Sequence, residues 1–263
     1  MADEDSGRRP KRDPDVPRTA GQKAWGLSRE LLIVVVGALI VSSLLRAFVG
    51  QMFTIPSGSM ENTLMVNDRV VVQKITDFQR GQVVVFADPG QWLTDPPAPR
   101  STARKVFEFI GVLPNSGQEY LIKRVVGIPG DTVICCDPTG RITVNGYPLD
   151  ETSYLYSDPD GGQVAPSDIQ FKVVVPAGRI FVMGDHRNNS ADSRCHLDDQ
   201  RAGLPNGMNA FVPITKVVGP AIAISAPLSR FGALRKPATF DGVPAPTAPA
   251  PAKPTIEPAG VHC

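Results

Sequence analysis

Two side chains in this sequence could do covalent chemistry together: a serine in a tight turn and a lysine inside an apolar run. Ser59 lies in FTIPSGSMENTL (53–64), where Pro56 fixes φ and Gly58 permits a sharp bend, so the hydroxyl can stand clear of regular pairing. A hydroxyl that attacks a carbonyl needs a base, and the usual one is histidine. The chain has three histidines, none set beside a serine in a triad-like pattern. Lys123 sits in YLIKRVVGIPGD (120–131) between apolar neighbours. An amine stripped of water gives up its proton near neutral pH and can serve as the base instead. In an extended strand Lys123 shares a face with Leu121 and Val125, while Ile122 and Arg124 take the other. A polar, turn-rich stretch, GDHRNNSADSR (184–194), follows downstream. Taken singly, each segment has a plain reading: an S-G-S turn, a lysine that snorkels to solvent, an ordinary loop.

In this order and behind one apolar segment, the three stretches resemble type I signal peptidase, over about residues 46 to 235. The resemblance implies a membrane-bound serine endopeptidase that removes signal peptides from exported preproteins. In the family's pattern the serine before methionine is the nucleophile, which maps to Ser59, and Lys123 is its general base. Ser57 and the Ser59 backbone N–H would donate to the oxyanion, and Ser190 would hydrogen-bond the Lys123 amine and aim it. Asp185, Arg187, Asp192 and Arg194 would form a structural frame under the site, and His186 receives no catalytic role. Asn62 departs from the pattern, since the family usually has Pro there. The preprotein would add as an extended strand between residues 52–59 and 120–123. Its small P1 and P3 side chains would enter pockets walled by Phe53, Ile55, Met60, Leu64, Tyr120 and Ile122.

Other classes fit less well. A self-cleaving repressor of the LexA type shares the dyad but is soluble. A penicillin-binding protein needs S-x-x-K, and no lysine follows Ser57 or Ser59 at that spacing. A peptide-binding module without activity would not need Ser59, Lys123 and Ser190 together.

Composition narrows the partners. The formal net charge of +1 gives no reason to expect nucleic acid. The four cysteines lack zinc-site spacing, so no metal and no cofactor is expected. Adjacent Cys135 and Cys136 are poorly placed to bond each other, which leaves a bridge from one of them to Cys195, or free thiols. Oligomeric state is not legible.

Residues 31–45 read LLIVVVGALIVSSLL, short of the ~20 that a spanning helix wants, and reach a usable length through Val49 if Arg46 snorkels. No small-x-small site follows before FTIP, which favours an uncleaved signal anchor over a cleaved signal peptide. Arg8, Arg9, Lys11, Arg12, Arg18, Lys23 and Arg29 precede it, so the N-terminus belongs in the cytoplasm and the remainder outside the plasma membrane. The organisation expected is a disordered basic tail (1–29), a single transmembrane anchor (30–49), an extracytoplasmic peptidase domain (50–236) and a disordered Pro/Ala-rich tail (237–263).

Within the body, short β-branched runs at 68–73, 82–86, 120–128, 132–134, 141–144, 171–175 and 180–183 predict a mostly β, antiparallel domain of the signal-peptidase kind. Asn145-Gly146 predicts a two-residue hairpin, and residues 217–228 read as a final strand rather than a second span. Residues 101–112 (STARKVFEFIGV) read either as an amphipathic helix touching lipid or as a loop packed on the sheet.

Overall fold

The β-branched runs become strands in the computed structural model, which describes residues 20–48, 50–90, 92–93, 101–102 and 119–257. The larger sheet runs in the order β1 (Gly50–Thr54), β2 (Arg69–Gln73), β11 (Val217–Ala226), β3 (Val83–Ala87), β4 (Tyr120–Gly127), β9 (Arg179–Met183) and β10 (Val212–Pro213). A short β12 (Gly232–Ala233) also pairs with β11. The smaller sheet runs β13 (Thr255–Glu257), β8 (Phe171–Val174), β5 (Thr132–Cys135), β6 (Thr143–Val144), β7 (Tyr147–Pro148). The pairings in both sheets are antiparallel.

Strand position explains strand composition. VVVFA in β3 is buried along its whole length, as a strand covered on both faces must be, whereas RVVVQ in β2 alternates. β6 and β7 are joined by Asn145 (φ 52°) and Gly146 (φ 79°), the doubly left-handed turn that matches strand twist. β11 can bridge β2 and β3 because position 219 is glycine; any Cβ there would collide with the Gln73 carbonyl oxygen. One apolar cluster, including Val133, Phe171, Phe181 and Phe211, draws on both sheets. A second, built on Ile55, Met60, Leu64, Val70, Val85 and Ile122, lies beneath the Ser59 turn.

The helix α1 (Ala20–Phe48) belongs, as far as Ser43, to a unit separate from the one that holds the sheets. Its apolar side chains from Leu31 to Val41 are exposed, from 42 % at Leu39 to 66 % at Val34. Among the described residues, no helix is long and apolar enough to cross a membrane. Residues 103–112 of the amphipathic stretch lie outside the described residues, as does most of the basic tail.

Two expectations are overturned. Cys135 and Cys136 bond each other, so neither bridges Cys195, which is itself disulfide-bonded. The peptide bond between these two residues is cis, and their Cα atoms are 2.9 Å apart. The segment after Lys236, expected to be unpacked, folds onto the body. Phe240 and Val243 are buried in the cluster shared by the two sheets, and Thr255–Glu257 pairs with β8, so β11 is not the last strand. Asn145 Nδ2 donates to Pro244 O at 2.9 Å, and the Ala177 N–H to Pro251 O at 2.8 Å. Prolines hold this segment extended, so little ordering is needed to lay it on a surface, and a single phenylalanine supplies apolar area that Pro/Ala composition conceals.

Candidate active site

Ser59 is displayed on a single 3-10 turn, Gly58–Met60, entered from an extended Ser57 (φ −135°, ψ 159°). Met60 and Ile55 anchor the turn in the apolar cluster below it. Lys123 comes from β4, opposite Val84 of β3. Ser59 is 6 % exposed and Lys123 3 %. Lys123 Nζ lies 2.5 Å from Ser59 Oγ, in hydrogen-bond contact across sixty-four positions of sequence. Ser57 Oγ stands 3.4 Å from Ser59 Oγ.

Burial lowers the Lys123 pKa from 10.5 to about 8; the carboxylates of Asp192 and Asp185 pull it back up, and Arg194 adds to the lowering. The lysine is therefore near the balance point between ammonium and amine at mildly alkaline pH. An amine at 2.5 Å from a serine hydroxyl can take its proton.

Ser190 is not hydrogen-bonded to Lys123. Its Oγ donates instead to Asp192 Oδ2 at 2.8 Å, and Asp192 is the largest charged influence on the lysine. Burial alone would raise the Asp192 carboxyl, but Arg194 and the Gly184 N–H hold it at about 2, so it stays charged. Arg194 grips Asp192 through Nε and an Nη at 2.9 Å each.

Three buried arginine–carboxylate pairs underlie the site. Besides Arg194–Asp192 there is Arg124–Asp185, bidentate at 2.8 and 2.5 Å, and Arg187–Glu151 at 2.5 Å. Strand alternation sends Arg124 away from Lys123, and its guanidinium also donates to Gly81 O and lies over the Tyr154 ring. Thr63, four positions after Ser59, donates to Asp185 at 2.5 Å, tying the turn to this frame. Each guanidinium satisfies a carboxylate that would otherwise be an unpaired buried charge.

Sequence reasoning missed Glu151, Thr63 and Tyr154, which lie outside the three motif stretches or carry no chemistry of their own. The signal that was available is arginine itself: a buried Arg in a β-run requires a partner carboxylate. The six apolar residues gather as one patch, yet unequally. Met60 and Leu64 have no exposed surface, Ile55 and Ile122 almost none, while Phe53 and Tyr120 are half-buried at the edge, ring to ring at 5.0 Å. Asn62 adopts φ 80° and its amide donates to Leu155 O at 3.0 Å. A proline, fixed near −65°, could not take that conformation.

The family profile described as signal peptidase, peptidase S26, matches residues 28–226. Signal peptidase I of Mycobacterium tuberculosis H37Rv is 36 % identical over 247 residues, covering 84 % of this chain and 79 % of that one. A probable signal peptidase I of Mycobacterium leprae is 34 % identical over 83 % of this chain and 86 % of its own. Signal peptidase I of Leptolyngbya laminosa is 31 % identical over 91 % of this chain and all of its own. A solved signal peptidase I from Enterococcus faecalis aligns with 56 % of this chain at 21 % identity and a TM-score of 0.30, too loose a likeness to carry weight. This chain belongs to the peptidase S26 signal peptidase family and is a serine endopeptidase of mostly β fold.

Proposed function

We propose that this protein is a membrane-anchored signal peptidase I that cleaves preproteins after small-x-small sites, with Ser59 as nucleophile and Lys123 as general base. The observation that carries the reading is the 2.5 Å contact between Ser59 Oγ and a lysine whose burial lowers its pKa. Neutral Lys123 takes the Ser59 proton as Oγ attacks the scissile carbonyl carbon. The oxyanion accepts hydrogen bonds from the Ser57 hydroxyl and the Ser59 N–H. Lys123 then gives its proton to the departing amine, leaving an ester on Ser59. Water attacks the ester while Lys123 accepts its proton and passes it to Ser59 Oγ, so the hydroxyl and the neutral amine are both restored as the signal segment leaves with its new carboxyl group. Ser190 serves this chemistry through Asp192, whose fixed charge faces the amine.

The substrate strand adds along β1 and the start of β4, and Phe53, Ile55, Tyr120 and Ile122, with Met60 and Leu64 behind them, bound the pockets for small P1 and P3 side chains. The anchor is residues 30–49, with the N-terminus cytoplasmic and the peptidase body outside. The exposed apolar side chains from Leu31 to Val41 support this: a helix that is apolar all round is a helix meant to be covered.

The test is direct. Full-length protein in detergent is incubated with one preprotein and the products are weighed by mass spectrometry. A single cut after a small-x-small site, absent with Ser59→Ala, is expected. Processing that survives Ser59→Ala would overturn the assignment.

A further inference from the structure

The turn that carries Ser59 has few internal hydrogen bonds: Glu61 N–H to Gly58 O at 3.0 Å, and Leu64 N–H to Met60 O at 2.7 Å just beyond it. Much of its remaining hold comes from one distant residue. The His186 backbone N–H donates to the Ser59 carbonyl at 3.1 Å. His186 Nδ1 lies 2.9 Å from Glu61 Oε2 and 3.2 Å from Gly58 O. The ring itself is clamped by stacking on Tyr156, with centroids 3.8 Å apart and planes 19° from parallel. Both groups facing Nδ1 are acceptors, so Nδ1 must carry hydrogen whether the ring is neutral or charged.

We propose that His186 is a positioning residue for the nucleophile, fixing the Ser59 turn through Glu61 and Gly58. The proposal rests on Ser59 being the attacking group. Attack requires Oγ to be held within a few tenths of an ångström of its line to the scissile carbon. Backbone contacts at Ser59 and Gly58 and a side-chain contact at Glu61 bracket the serine on both sides. These contacts fall on Gly58, Ser59 and Glu61, at the end of the segment that carries the hydroxyl and away from Phe53 and Tyr120 at the edge of the apolar patch, so loosening them acts on turnover more than on substrate capture.

Steady-state kinetics of the full-length, detergent-solubilised protein on a preprotein test this. His186→Ala and Glu61→Ala are each expected to lower kcat about tenfold with KM held within about twofold, the scale of one lost hydrogen bond at a reacting centre. The double variant should fall little further than His186→Ala, because the His186–Glu61 contact is already lost in either single variant. His186→Asn should recover most of the lost kcat, since Asn Nδ2 is attached at Cγ as Nδ1 is and still donates. Melting temperatures measured alongside separate this from a general loss of fold: Asn and Ala variants that melt alike but turn over differently support positioning. Unchanged kcat in His186→Ala, additive losses in the double variant, or Asn no better than Ala would each overturn it. Ser59→Ala is run in parallel. If it processes normally, the nucleophile reading fails; if it is inert while His186→Ala is normal, only the positioning role fails.

Discussion

Lys123 is held where a lysine is least comfortable, 3 % exposed inside a sheet. The drop of its pKa from 10.5 to about 8 is equivalent to about 3 kcal/mol of disfavoured charge. The sign follows from proton counting. Below pH about 8 the lysine is charged in both folded and unfolded chains, and the folded chain bears the whole penalty. Between about 8 and 10.5 the folded chain loses the proton first, so the penalty fades as pH rises. Lys123→Met is therefore expected to be inactive yet more stable than the parent near pH 7, by up to about 3 kcal/mol, with the gain disappearing towards pH 10.5. Urea unfolding at the two pH values measures it; a less stable Met variant at pH 7 would mean the lysine is not destabilised by burial. At this scale the contact between Ser59 and Lys123 was expected through the resemblance, since a lone lysine amid Leu121, Ile122, Val125 and Val126 reads by itself as one that snorkels. The resemblance aimed Ser190 at the Lys123 amine, whereas its hydroxyl bonds Asp192, a choice set by the path of a loop.

At the scale of elements, the turn and the loop that faces it are fitted to each other. Asn62 at φ 80° sends its amide to Leu155, and Thr63 bonds Asp185 in the frame. Restoring the family's usual residue with Asn62→Pro should therefore harm this protein. Proline cannot reach that φ and removes the amide bond, so a loss of 3 kcal/mol or so in stability and a larger loss in kcat are expected. A variant that melts and turns over like the parent would show that the turn can take the proline path. Strand positions were legible for the same reason that they form: β-branched runs between Gly, Asp and Pro, and an Asn-Gly pair that only a mirror-type hairpin uses. Pairs such as β6–β7 are local. The placement of β11 between β2 and β3 is not, since it depends on a glycine at 219 meeting a carbonyl about 150 residues away in sequence.

For the whole molecule, the C-terminal strap and the N-terminal helix are the parts where composition and structure diverge. The Pro/Ala-rich strap reads as unpacked, but Phe240 is 4 % exposed and stacks against Tyr154 at 6.2 Å between centroids. Phe240→Ala should lower stability by about 3 kcal/mol, as a large-to-small change in a packed cluster does. No effect on the melting temperature would return the segment to a loose tail. The proposed topology rests on the helix. Protease added to intact spheroplasts should digest the body and the strap and leave the region before residue 31 protected. A protected strap with a cut body would instead require a second crossing.

If a neutral lysine activates Ser59, the pH dependence of kcat/KM on a preprotein must follow the loss of its proton. The rate constant should rise through a single ionisation near pH 8, where burial sets the Lys123 pKa, with a plateau above it. A limb near pH 6.5 in place of that one would assign the base to a histidine and remove Lys123 from the role.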